Sequence, residues 1–296
     1  MSSRIRIGTR GSALALWQAR WVQTLLHTIG RKSELVPIQA NGDLELKKPL
    51  YELGVQGIFT KELDAALLAK EVDLVVHSMK DVPTQLPEGI DVAFIPKRGE
   101  HTDIFIPNQP DWEKDNSVIA TSSLRRAAQW RNAYPNHQIA DIRGNVPTRL
   151  KKLSESKLHG TIMAQAGLVR LDMLPSNAIT LDWMVPAPAQ GAILVTGLAS
   201  KPELLSSLHK LNDAETAICV EQERSFLRTL EGGCTAPIGA YATIKDQILS
   251  FKGCVTQKDG KKQLLFENHF PVTKENVGHY AAMQLIEQGA KDLING

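Results

Sequence analysis

The spacing of apolar residues predicts alternating strands and helices from the start of the chain. RIRIG at 4–8 has the pattern of a strand, and Ser12 can cap a helix that follows it. Within that helix, apolar residues recur every three or four positions at Leu14, Trp17, Trp21 and Leu25. A second strand is predicted at 34–40 and a second helix at 57–71. The continuous apolar run VDLVVHS at 72–78 is typical of a strand buried on both faces of a parallel sheet. This alternation indicates an α/β fold.

The same alternation begins again after IPKRGEH at 95–101 and predicts a second α/β lobe. Its strand-like runs lead into helices until the proline-rich turn VPAPAQG at 185–191, after which GAILVTGLA reads as one more buried strand. The chain would therefore cross between the lobes twice, near 96–101 and near 186–191. Two adjacent crossings of this kind predict a hinge with a cleft between the lobes.

From about residue 213 the pattern changes to that of a small α+β domain. A long helical run is followed by the loop LEGGCTAPIG at 230–239, then by three strand-like runs separated by short polar turns. We expect these runs to form an antiparallel sheet, and we expect a last helix to begin near Thr273. The predicted domains are a first α/β lobe at 1–96 and 192–211, a second α/β lobe at 97–191, and a C-terminal domain at 212–296.

Composition narrows the class of protein without identifying it. The 296 residues suffice for two or three domains of roughly 100–150 residues. A net charge of +2 is too weak to indicate nucleic acid or an anionic membrane as a partner. The cysteines number three and so cannot all pair, and the N-terminus lacks the apolar segment of an export signal. We therefore expect a soluble cytoplasmic monomer that binds neither nucleic acid nor membrane.

Arginine recurs where predicted strands pass into predicted helices. Strand ends in open α/β sheets border the ligand crevice, and helix N-termini carry a positive dipole end. Guanidinium groups add paired donors that match carboxylate or phosphate. Any one of these arginines is more often structural or solvated, but their recurrence on consecutive connections predicts a cleft for a ligand with many anionic groups. The arginines are Arg10, Arg125, Arg126, Arg143, Arg149 and Arg170, with Arg170 expected early in its helix.

The arginine pattern does not by itself distinguish phosphate from carboxylate. The sequence contains neither a G-x-x-x-x-G-K-[ST] phosphate loop nor a G-x-G-x-x-G dinucleotide turn. No spacing of histidines and cysteines suits zinc, and we predict no metal site. A polycarboxylate is therefore the favoured ligand.

The turn HSMKDVP at 77–83 brings a carboxylate to the end of a buried strand. A salt bridge or a turn-forming role for Lys80 and Asp81 would explain the motif about as well as a functional role. The functional interpretation is that Asp81 holds an N–H donor or stabilises a developing cation in the crevice. His77 is expected to be a strand-end histidine with local partners.

The three cysteines differ in context. Cys219 lies in the long helical run and Cys254 in a strand-like run, where each can serve as a small buried hydrophobe. Cys234 follows two glycines and precedes Pro237, which favours a shaped, accessible loop. Its thiol could act as a nucleophile or as a covalent anchor, and these residues alone leave both roles open.

Nearly end to end, these motifs resemble those of the porphobilinogen deaminases, also called hydroxymethylbilane synthases. Members of that family join four porphobilinogen molecules head to tail with loss of ammonia, and their dipyrromethane cofactor is built from the substrate. The resemblance implies two lobes like those of a type II periplasmic binding protein, plus a small cofactor domain. It rests on IGTRGSALALWQA, GIFTKELDAALL, DLVVHSMKDVPT, TSSLRRAAQ, RGNVPTRL, AGLVRL, AQGA and LEGGCTAPIG.

The resemblance also implies roles for individual residues. Cys234 would carry the cofactor through a thioether, and Asp81 would contact pyrrole nitrogens and assist deamination and coupling. The acetate and propionate groups of each pyrrole ring would be bound by a larger set: Arg10, Ser12, Lys80, Ser123, Arg125, Arg126, Arg143, Arg149, Arg170 and Gln190. Whether the product passes directly to the next tetrapyrrole enzyme stays open.

Two stretches depart from the pattern of many relatives. The loop before the GIFTKEL helix, expected to act as a lid, has Glu52 and Gln56 where lysine is common, although the aromatic Phe59 is retained. Pro188 and Ala189 precede Gln190 in the second crossing. The alternative function is a non-catalytic two-lobed binder of polyanionic small molecules, which would give no colour with Ehrlich's aldehyde reagent.

Overall fold

The computed structural model describes residues 4–39, 60–231 and 236–295. Its first sheet has the strand order β2-β1-β3-β10-β4, in which β1 is parallel to β2 and β3 while β10 is antiparallel to β3 and β4. Strands numbered along the chain give this sheet β1 (Ile5–Arg10), β2 (Ser33–Ile38), β3 (Leu74–Ser78), β4 (Ile90–Phe94) and β10 (Ile193–Leu198). The two apolar runs predicted as buried strands are β3 and β10, which are adjacent interior strands of this sheet.

The second sheet repeats the plan of the first, with the strand order β7-β6-β8-β5-β9. Here β6 is parallel to β7 and β8, and β5 is antiparallel to β8 and β9. The strand in fourth place of each order, β10 in the first sheet and β5 in the second, is antiparallel to its neighbours. Each is the first strand after the chain crosses from one sheet to the other. The strands are β5 (Asp103–Pro107), β6 (Val118–Ala120), β7 (Gln138–Ala140), β8 (Gly160–Ala164) and β9 (Ile179–Thr180).

Three helices of the two lobes begin where a side chain replaces a missing hydrogen bond of the first turn. Ser12 Oγ accepts from Ala15 N at 3.3 Å, and Ser123 Oγ accepts from Arg126 N at 3.4 Å. The third side-chain cap is Asn145, with Pro147 in the first turn that follows it. The helices are α1 (Ala13–Thr28), α2 (Lys61–Leu68), α3 (Leu124–Ala133), α4 (Val146–Ser154), α5 (Gln165–Arg170) and α6 (Pro202–Leu208).

The C-terminal unit is the predicted α+β domain. Its antiparallel sheet has the order β11-β12-β13 and packs against helices around Phe226, Phe251 and Leu285. The unit comprises α7 (Ala214–Thr229), β11 (Ile238–Lys245), β12 (Ile248–Thr256), β13 (Gln263–Pro271), α8 (Val277–Glu287) and α9 (Ala290–Asn295). The predicted α/β class is thus confirmed, with two five-stranded mixed sheets and a small unit that has a three-stranded antiparallel sheet.

Three details differ from the sequence-based expectation. The last long helix begins at Val277 rather than near Thr273, because Asn276 has a left-handed backbone (φ 55). Arg170 ends α5 instead of lying early in it, since β8 continues to Ala164 and Asp172 turns the chain at φ 54. The sequence pattern also failed to predict β4 and the short helices α6 and α9.

Candidate active site: a cationic cleft beside the Asp81 turn

Asp81 lies in a short 3-10 turn, Met79–Asp81, that directly follows β3. Val82 N donates to Met79 O at 3.1 Å and closes the turn. Met79 and Val82 are each 4% exposed and pack in one apolar cluster, whereas Lys80 and Asp81 between them are only half-buried. Alternating burial therefore holds the turn by its apolar residues and leaves its charged residues at the surface of the cleft.

A small cavity of about 100 Å³ opens beside Asp81, and its lining is mostly polar. Arg10 reaches it from the end of β1 and Ser12 from the cap of α1, so two predicted binding residues do meet the predicted catalytic carboxylate. Among the polar lining residues that were not predicted from the sequence are Gln18, which is 3% exposed, and Ser78, whose Oγ accepts from Gln18 Nε2 at 2.9 Å. A glutamine on the buried face of an otherwise apolar helix was the signal that could have revealed them.

His77 lines the same cavity from β3 but is 5% exposed. Burial lowers its pKa to about 4, so the imidazole is neutral at pH 7. Its Nε2 lies 3.9 Å from Asp64 Oδ1 on α2. This separation is longer than a hydrogen bond and the ring is neutral, so Asp64 is a neighbour of His77 rather than a bonded partner.

On the second lobe, one fully buried carboxylate holds two of the predicted binding arginines. Asp103, at the start of β5, has Arg125 Nη2 at 2.7 Å from Oδ2 and Arg126 Nη2 at 2.8 Å from Oδ1. Gln190 joins the group, because its Nε2 donates to Asp103 Oδ1 at 3.0 Å. Arg125 and Arg126 are 4% and 6% exposed. An aspartate opening the apolar run DIFI was the signal for this pairing, and the sequence analysis did not use it.

The charges of the two lobes influence one another across the cleft. Burial lowers the pKa of Lys80 to about 8; Asp81 opposes this shift, and Arg126 of the second lobe adds to it. Burial likewise lowers the pKa of Arg149 to about 10, with Arg126 and Arg143 adding to the shift and Asp81 opposing it. Predicted site residues from both lobes therefore lie close enough to share one electrostatic environment.

The remaining predicted residues lie around this environment. Arg149 on α4 donates from Nε to Gly144 O at 2.7 Å, in the loop that also contains Arg143. Arg170 donates from Nη2 to Gly191 O at 2.6 Å, beside the second crossing, and its guanidinium lies 5.5 Å from the ring centre of Trp17 on the first lobe. Arg170, on the second lobe, thus contacts the first lobe through Trp17 and the second crossing through Gly191.

The cofactor-attachment and lid predictions fall outside the described residues: Cys234, Glu52, Gln56 and Phe59. The other two cysteines are described, and both are buried free thiols. Burial raises the pKa of Cys219 to about 12 and that of Cys254 to about 11, so neither supplies a reactive thiolate near neutral pH.

The described part of the chain contains neither a metal-ligating cluster nor a helix that could span a membrane. Within residues 4–39, 60–231 and 236–295, histidine, cysteine and acidic side chains form no group of three or more suited to a metal ion. Helices in the same ranges are all too short or too polar to cross a membrane.

Together, fold and site define a two-lobed α/β protein whose cleft contains guanidinium, ammonium and amide donors. The chain belongs to the porphobilinogen deaminase family. The family model described as "Porphobilinogen deaminase, dipyromethane cofactor binding domain" matches residues 5–206, and that described as "Porphobilinogen deaminase, C-terminal domain" matches residues 217–287.

Individual relatives match along almost the whole chain. The porphobilinogen deaminase of Syntrophotalea carbinolica is 41% identical over 99% of this chain and 96% of its own length. That of Synechococcus elongatus is 40% identical over 98% of this chain and 94% of its own length. Among solved structures, an ancestral cationic amino acid solute binding protein gives a TM-score of 0.44 at 14% identity, covering 70% of this chain and 87% of that one.

Family membership makes this chain a transferase of tetrapyrrole synthesis with a dipyrromethane cofactor. The alternative of a non-catalytic binder is therefore set aside. The described residues suit such a cofactor, since arginine, lysine and glutamine side chains are the donors that pyrrole acetate and propionate groups require.

Proposed function

We propose that the chain joins four porphobilinogen molecules head to tail into hydroxymethylbilane with release of ammonia. The observation that carries this proposal is the position of Asp81, a carboxylate at a polar cavity that influences Lys80 on its own lobe and Arg126 and Arg149 on the other. Such a site can bind a carboxylate-rich chain and stabilise positive charge at one point along it.

The cationic residues bind and orient the substrate in this proposal. Arg10 and Ser12 hold side-chain carboxylates at the first lobe, and Arg143 and Arg149 hold them at the second. Arg125, Arg126, Ser123 and Gln190 form a more buried group whose donors are fixed in place by Asp103 and by the cap of α3. A fixed donor array costs less reorganisation when an anion arrives.

Asp81 is the proposed catalytic residue. Its carboxylate accepts hydrogen bonds from pyrrole N–H groups and stabilises the positive charge that develops as ammonia leaves and as rings couple. Lys80, whose pKa of about 8 keeps it largely protonated at pH 7, adds a donor for a substrate carboxylate beside it. Dipyrromethane, when bound, supplies the pyrrole carbon from which the chain grows.

Cys234 is the proposed attachment site. Two observations support it: the described thiols of Cys219 and Cys254 are buried with raised pKa values, and α7 ends at Thr229, five positions before residue 234 in the sequence. The C-terminal domain from residue 212 would thus carry the cofactor, while the lobes at 1–96 with 192–211 and at 97–191 would bind it.

Intact mass and peptide mapping test the attachment. Purified protein should be heavier than its sequence mass by two pyrrole units, and Cys234→Ser should lose that increment, the Ehrlich colour and the activity together. Cys219→Ser and Cys254→Ser are the matched controls. They should keep the increment and lose at most about 1–3 kcal/mol of stability. An adduct mapped to either control position, or active enzyme with no adduct, would contradict the assignment.

We also propose that the enzyme works as a monomer in the cytoplasm. Two buried thiols without a disulfide fit a reducing compartment. Light scattering of the purified enzyme and cell fractionation test the two statements separately.

A further inference from the structure

Helix α7 of the C-terminal unit contacts the turn that carries Asp81, through a buried arginine. Arg224 is 6% exposed and points its guanidinium at main-chain carbonyls of the first lobe. Nη1 donates to Val82 O at 3.0 Å and lies 3.5 Å from Met79 O, and Nη2 donates to Pro83 O at 2.6 Å. These carbonyls lie on both sides of Lys80 and Asp81 in the chain.

The planar guanidinium suits this task. Its donors have a fixed fork geometry, so a single side chain can hold several carbonyls in one relative position. The turn has one internal main-chain hydrogen bond, from Val82 N to Met79 O, and Arg224 braces the same Met79–Val82 pair from outside.

A second contact from the same helix face supports the first. Val220, four residues before Arg224, is fully buried in one cluster with Met79 and Val82. Residues four apart lie on the same side of an α-helix. One face of α7 therefore presses an apolar side chain and a guanidinium against the turn, and α7 ends at Thr229, five positions before Cys234 in the sequence.

We propose that Arg224 is a positioning residue for catalysis, which fixes the main chain of the 79–83 turn and so sets the place of the Asp81 carboxylate. This inference rests on the proposed role of Asp81. Through Arg224, helix α7, which ends five positions before Cys234 in the sequence, also determines where the reacting carboxylate lies.

The expected signature is a loss in kcat more than in KM. Arg224→Gln and Arg224→Lys remove the fork that spans the carbonyls but leave the ligand-binding arginines in place. Small displacements of a reacting group are costly, so kcat should fall about 10- to 100-fold. KM should stay within about twofold, because uniform binding is not what these variants remove. The control is Arg228→Gln, one turn further along α7, where the arginine is exposed and pairs with Glu221 at 3.0 Å.

A double-mutant cycle with Asp81→Asn separates positioning from general stability. If Arg224 acts through Asp81, Arg224→Lys should reduce the residual rate of the Asp81→Asn enzyme far less than it reduces the wild-type rate. An equal reduction in both backgrounds would overturn the proposal, as would a folded Arg224→Lys enzyme with the kcat of the Arg228→Gln control. Failure of both Arg224 variants to fold would also overturn it, by assigning the residue to stability of the whole chain. A fully active Asp81→Asn enzyme would instead refute the role of Asp81 itself.

Discussion

The two lobes each place an aspartate beside the cleft, and the two carboxylates have opposite surroundings. Asp103 is 0% exposed and held between Arg125 and Arg126, whereas Asp81 is half-buried and faces a polar cavity. Burial alone would raise the pKa of Asp103, but its two arginines outweigh that effect and lower the pKa. One carboxylate is therefore paired with cations of the protein, and the other faces the cavity.

This comparison shows that a count of charged residues does not reveal which charges are available. Arg125 and Arg126 bring two positive charges, and Asp103 neutralises one of them while fixing both in place. A buried ion pair is weak evidence for a stabilising interaction, because the free-energy cost of desolvating the two charges offsets their attraction. Its benefit here is geometric, since Asp103 and Gln190 hold the guanidinium groups in fixed positions.

Removing the carboxylate that faces the cavity should have the largest effect. Asp81→Ala should lower kcat roughly 10²- to 10⁴-fold, since the group proposed to stabilise the developing cation is lost. The thermal unfolding midpoint should change little, because Asp81 is half-buried at the surface of the cleft. Steady-state kinetics and calorimetry measure the two effects.

Asp91→Asn is the matched control, because Asp91 is an exposed aspartate of the same lobe on β4. It should keep normal kinetics. A folded Asp81→Ala enzyme with more than half the wild-type rate would show that Asp81 only shapes the turn.

Removing the buried carboxylate should instead affect stability first. Asp103→Asn leaves Arg125 and Arg126 buried without a counter-charge, which should cost about 3–5 kcal/mol in the free energy of unfolding. Denaturant unfolding measures this loss. Glu113→Gln, at an exposed acid of the same lobe, should leave the unfolding free energy nearly unchanged. An unaltered midpoint for Asp103→Asn would mean that the arginines find other partners or solvent, contrary to the pairing described.

The smallest expected effect concerns the histidines that precede the two aspartates. Burial lowers the pKa of both His77 and His101 to about 4, with Arg98 adding to the shift at His101. The unfolded chain, with histidine pKa near 6.5, therefore binds protons first as the pH falls. The contribution of these two histidines to the free energy of unfolding should be constant above that pH and decrease as the pH falls from about 6.5 toward about 4.

Single substitutions can show how much of that pH dependence of the unfolding free energy each histidine contributes. His77→Asn and His101→Asn should each flatten part of the slope, whereas His209→Asn, at an exposed histidine, should leave it unchanged. Unfolding titrations at a series of pH values provide the measurement. A slope that neither buried-site variant alters would contradict the assignment to these histidines.

Local signals in the sequence were sufficient for much of the fold and for part of the site. Ser12 caps a helix as expected, and the runs at 72–78 and 191–199 are interior buried strands. The position of Asp81 after a buried strand was predictable because the signal, an apolar run followed by a turn ending in proline, lies within about ten residues. The weak strand β4 and the late start of α8 were missed, since tertiary pairing and one left-handed residue decided them.

The sequence by itself therefore determined the alternation of strands and helices, the family, and the set of arginines and acids from which the site is built. Only the tertiary structure decided which of these charges pair with one another and which face the cleft. Asp103 meets Arg126 across 23 positions of the chain, and Arg224 meets Val82 across 142. Such contacts depend on how sheets and helices pack, and a buried charge takes whichever partner that packing brings within reach, because the cost of leaving it unpaired exceeds any local preference.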